Sequence, residues 1–92
     1  VRYLFHETRA VLVSSATAGA LMRYFTSLTS AWCADDVEVP AIDVDGHIIL
    51  ERMSVGPANR IRSVHAADDA LESDDASFVV ELDRRTHALH TS

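Results

Sequence analysis

The stretch "IDVDGHIIL", Ile42 to Leu50, places Asp43, Asp45 and His47 at alternate positions around Gly46, a grouping of oxygen and nitrogen donors that could hold a cation. A calcium loop of the EF-hand kind needs glycine at its sixth position and a bidentate glutamate at its twelfth, and neither falls in place here. Asp-Gly between two Val/Ile-rich runs instead fits a two-residue type I′ turn, which requires positive φ at both central positions. The stretch therefore reads as the bend of a β-hairpin, and no metal site is assigned.

Other residues could carry chemistry. An imidazole titrates near neutrality and a carboxylate can orient it, so His47 or His65 with Glu51 is the candidate general acid–base pair of a small cofactor-free hydrolase or isomerase. Arg60 and Arg62 alternate on one face of a strand-like segment with Arg52 as a third candidate, and guanidinium groups grip carboxylate or phosphate through paired N–H groups. Salt bridges to the many aspartates are the plainer use of the same arginines. His87 and His90 lie at helical spacing but in the C-terminal stretch, without the cysteine or HExxH context of a zinc site. Asp68-Asp69 and Asp74-Asp75 read as a solvated acidic loop. Cys33, the sole cysteine, reads as a small buried apolar side chain, since nothing beside it lowers its pKa. "SSATAG" has the hydroxyls of a helix cap, without a phosphate loop's glycines.

These residues need elements to position them. Ala18, Leu21, Phe25, Leu28 and Trp32 recur at steps of three and four and predict a helix from Ala16 to Ala34, capped by Ser15 or Thr17 and ended before Pro40. Arg9 to Ser15 reads as a strand leading into it. Residues 1–13 also fit a helical stripe, so that assignment stays open. After the helix the period becomes two: Val37–Val44, His47–Val55, Arg60–Ala66 and Ser77–Asp83 are each of strand length. The expected fold is α+β over residues 1–92, a single domain in which one helix packs on a four- or five-stranded antiparallel sheet in the order β-α-β-β-β-β, with Arg84 to Ser92 as a polar tail.

The two-residue turn sets a register. It pairs Val44 with His47, Ile42 with Ile49, Ala41 with Leu50 and Val39 with Arg52. One face then carries Ile42, Val44, Ile49 and Met53, and the other Val37, Val39, Ala41, Ile48 and Leu50. Both faces are apolar and one helix covers only one of them, so Ile42, Val44, Ile49 and Met53 are the expected interface of a homodimer.

Composition narrows the partners. The 92 residues carry a net charge of −6 with eight arginines and no lysine, which disfavours phosphate backbones and anionic membranes. No apolar run approaches the ~20 residues of a membrane span. A lone cysteine fits a cytoplasmic setting. The expectation is a small homo-oligomeric interaction module for a protein partner or a small anionic ligand, with no cofactor, no nucleic acid and no membrane partner.

Overall fold

The computed structural model describes residues 1–43, 45–66 and 76–91. Along the chain lie β1 (Arg2–His6), β2 (Arg9–Val13), α1 (Ser15–Ser30), β3 (Asp35–Ile42), β4 (Ile48–Val55), β5 (Ile61–His65) and α2 (Ala76–Thr91). The strands form one antiparallel sheet in the spatial order β4-β3-β2-β1-β5, so the fold is α+β, as its alternating Val/Ile runs imply. The open question over residues 1–13 resolves as the β1–β2 hairpin at the middle of the sheet, with Leu4 and Val11 facing each other in the core.

Two helices stand where one was expected. Ser77–Asp83 is not a strand, and Arg84–Thr91 is not a tail; both belong to α2. Phe78, Val80 and Leu82 alternate like a strand, but Phe78, Leu82 and Leu89 also follow a helical stripe, and short apolar runs fit either period. Burial shows the outcome: Leu82 is buried, Phe78, Val79 and Leu89 pack on the core, and Val80 points outward. Arg23 of α1 grips Asp83 of α2 through two nitrogens, at 3.1 and 3.3 Å, fixing the helix pair at its solvent side.

Helix α1 is shorter than its periodicity suggests. Its N-cap is Ser14, one residue before Ser15 and three before Thr17, the expected candidates, and its hydroxyl oxygen accepts from the Thr17 amide at 3.0 Å. At the other end Cys33 N–H donates to Leu28 O at 2.9 Å and Trp32 N–H to Thr29 O at 3.2 Å. This is a Schellman ending, with Trp32 at φ 56° in the position that glycine usually fills. The turn swings Trp32 off the apolar stripe to 85% exposure, and Cys33 beside it is exposed rather than buried.

The sheet is folded sharply at its β2–β3 seam, where Leu12↔Ile42 is the one register pair. Contacts that skip strands follow from this fold: Arg9 of β2 reaches past β3 to Glu51 of β4 at 2.8 Å, and the His6 ring of β1 reaches past β2 and β3 to Ser54 O of β4 at 3.0 Å. The β3–β4 ribbon thereby wraps toward the β1–β2 hairpin. Leu4, Val11, Val37, Val39, Met53 and Val55 fill the space inside with Leu21, Tyr24 and Leu28 of α1 and Leu82 of α2.

Candidate functional site

The β3–β4 hairpin decides what the outer sheet face carries. Asp43 N–H donates to His47 O at 3.0 Å and Gly46 N–H to Asp43 O at 3.1 Å, so three residues, not two, separate the closing pair. Gly46 takes φ 83°, the left-handed residue that a three-residue hairpin loop needs. Asp43 Oδ1 accepts from the amides of Asp45 and His47, both at 2.9 Å. The His47 amide, then that of Asp45, holds the Asp43 carboxyl below its ordinary range. Asp43, Asp45 and His47 do bring donor atoms within 4.8 Å of one another, yet the turn accounts for Asp43.

The longer loop shifts the register by one residue from the expected one. Val37 pairs with Met53, Glu38 with Arg52, Val39 with Glu51, Pro40 with Leu50 and Ile42 with Ile48. The physical reason was present in the chain. A two-residue turn sets Arg52 and Ser54 among the core residues Val37 and Val39, whereas the observed register sets Glu38 opposite Arg52 and Val37 opposite Met53.

The expected interface changes accordingly. Met53 is buried in the core at 1% exposure and so is not available to a partner, and Ile49 is partly buried against that core. Ile42 stays on the outer face and Val44 lies outside the described residues, as do the acidic pairs Asp68-Asp69 and Asp74-Asp75. In their place the outer face presents Ile48 at 81%, Leu50 at 65%, Tyr3 at 45% and Val64 at 40% exposure. Partly buried Leu12 and Ile42 lie between them, lining a shallow recess with Tyr3 and Ala10. This apolar band reaches every strand of the sheet.

The candidate acid–base residues do not meet. His47 sits at the β3–β4 turn with Nδ1 3.7 Å from Asp43 Oδ2, so its carboxylate neighbour is Asp43 and not Glu51. Glu51 is bound by Arg9 through two nitrogens, at 2.8 and 3.1 Å. His65 ends β5, at the opposite edge of the sheet from β4. His90 bonds Ser27 Oγ at 3.0 Å and serves the α1–α2 contact.

The arginines divide into two groups. Arg9 and Arg23 are paired as described, Arg2 bonds Ser63, and Arg84 and Arg85 share Glu81, whose carboxyl they hold down to about 2, Arg84 having the larger effect. Arg85 also reaches Asp35 Oδ2 at 3.0 Å. Among the described residues Arg52, Arg60 and Arg62 have no carboxylate partner within salt-bridge distance. Arg52 is on edge strand β4, whereas Arg60 and Arg62 are at the opposite edge, beside and on β5, so the three do not form one clamp. Arg62 lies over the Phe5 ring at 4.6 Å.

Among the described residues no helix is long and apolar enough to cross a membrane. No protein-family model, curated protein or solved structure matches the chain.

Proposed function

We propose that the protein is a small homo-oligomeric interaction module whose outer sheet face packs on a second copy of the chain. The observation that supports this most directly is the apolar band of Tyr3, Ile48, Leu50 and Val64, left largely in water on the outer face of the sheet. Contiguous apolar patches on small proteins mark interaction sites. A two-fold operation maps such a band onto itself, and most soluble oligomers use that symmetry. A short chain also buries a smaller fraction of its surface than a long one, so face-to-face packing adds apolar burial it cannot reach alone. β4 strengthens the reading, because it is a sheet edge of eight residues with Ile48 and Leu50 at its outer surface.

A cofactor-free enzyme using His47 or His65 with Glu51 is the weaker reading, since Arg9 occupies Glu51 and the two histidines sit apart, His47 in the turn before edge strand β4 and His65 on β5 at the opposite edge.

Light scattering across a concentration series tests the module. Twice the chain mass is expected for the natural protein, and the chain mass for Leu50→Arg, with the fold unchanged by circular dichroism. A natural chain that stays single at high micromolar concentration overturns the proposal.

A further inference from the structure

The cleft at the β5 edge borders the outer face, with Phe5 and Arg62 on the same side of the sheet as Tyr3 and Val64, and its arginines carry chemistry that an apolar interface does not use. It has a volume of about 490 Å³ and is lined by Phe5, Glu7, Phe25, Arg60, Ile61 and Arg62. That size lies within the ~300–1,000 Å³ of small-molecule sites. We propose that it binds a small organic monocarboxylate, with the carboxylate held by Arg60 and Arg62 and the apolar body against Phe5 and Phe25.

Charge accounting supports the anion. With fourteen acidic residues against eight arginines, a guanidinium in this chain has many carboxylates to choose from. Arg9, Arg23, Arg84 and Arg85 have taken them, while Arg60 and Arg62 have taken none among the described residues. Arg62 is also held ready. Its Cζ lies over the Phe5 ring at 4.6 Å, a cation–π contact that steadies the side chain, and a guanidinium has five N–H donors with which to grip a carboxylate side-on. Arg60 is fixed through its backbone, whose carbonyl accepts from Glu7 N–H at 3.2 Å, tying the start of β5 to the β1–β2 turn.

The remaining lining residues select among anions. Glu7 borders the cleft and is engaged by Asn59 Nδ2 at 3.3 Å, so a negative charge sits at the rim without cancelling either arginine. It repels di- and trianions such as nucleotide phosphates more than a monocarboxylate. Phe5, Phe25 and Ile61 offer apolar surface that inorganic phosphate cannot use.

The test is an NMR titration of the full chain with phenylacetate, hexanoate and inorganic phosphate, following the arginine Nε–H signals. Phenylacetate or hexanoate is expected to shift Arg60 and Arg62 saturably at millimolar concentration, and phosphate to bind more weakly. Arg60→Gln and Arg62→Gln should each weaken binding about tenfold, the size of one charge-assisted hydrogen bond, and Arg52→Gln should leave it unchanged. Phe5→Leu, which keeps an apolar strand residue, should weaken it without altering the fold. Absence of saturable shifts, phosphate binding as tightly as phenylacetate, or indifference to Arg60→Gln and Arg62→Gln each overturns the site. The cleft lies within one chain, so failure of dimerisation leaves this test intact.

Discussion

Tyr24 donates its hydroxyl proton to Asp35 Oδ2 at 2.6 Å, and Arg85 donates to the same oxygen at 3.0 Å. One carboxylate thereby joins α1, the first residue of β3 and α2. Glu81 takes the Nε of Arg85 at 2.9 Å, which holds the guanidinium toward Asp35. The acid, the phenol and the cation form a junction where three elements meet, and Tyr24 is its buried member.

The junction makes stability fall at alkaline pH. Burial, and then the Asp35 carboxylate, push the Tyr24 hydroxyl from 10.0 up to about 12, against a smaller opposing effect of Arg85. Between those values the unfolded chain has lost the proton and the folded chain retains it, so the contribution is full below pH 10 and is lost as pH rises through about 12. The loss amounts to at most about 3 kcal/mol. Tyr24→Phe should cost about 1 kcal/mol at neutral pH and flatten this alkaline slope, as read by urea denaturation at several pH values.

Trp32 occupies a left-handed position that costs most side chains about 1 kcal/mol. Its ring is exposed and returns no burial to offset this. Trp32→Gly should therefore raise stability by about 0.5–1 kcal/mol, while Trp32→Ala should change it little. Equal midpoints for the glycine and alanine variants in chemical denaturation would contradict the Schellman ending.

Gly56 closes against the segment after α1. A Cβ added there meets Ala34 Cβ at 2.9 Å and Cys33 O at 3.0 Å, and backbone cannot step aside as a flexible side chain can. Gly56→Ala should cost about 1–3 kcal/mol in thermal unfolding. Gly46→Ala is a separate case, strained by φ 83° rather than by crowding.

The register of β3 and β4 has its own test. Met53→Ala should cost about 2–5 kcal/mol because Met53 fills the core. Leu50→Ala should cost less than about 0.5 kcal/mol in a monomeric background, because Leu50 faces water. A register slipped by one residue reverses the roles of the two strand faces, so similar costs at both positions would refute the observed pairing.

Some of this was legible in the chain. The α1 stripe through Ala18, Leu21 and Leu28 needs only a local period of 3.6, and all three are buried. The β3, β4 and β5 segments needed only the period of two and Val/Ile content. Asp45-Gly46 marked a hairpin, but its loop length depended on which register kept Arg52 out of the core. The last segment failed because Phe78, Val80 and Leu82 suit both periods until the assembled core is in place to receive Phe78, Val79 and Leu89.

The amino-acid order alone determined that helix and antiparallel strands coexist, that the β3–β4 connection is a tight bend, and that the sheet is apolar on both sides. These are consequences of near-neighbour spacing, to which each residue contributes whatever lies across from it. Tertiary structure decided which apolar residues remain outside, because a single extra loop residue exchanges Ile49 and Met53 for Ile48 and Leu50. It also decided that Glu51 meets Arg9 rather than a histidine, and that Arg62 stacks on Phe5. Such contacts depend on strands distant in the chain being brought side by side, and no local period encodes them.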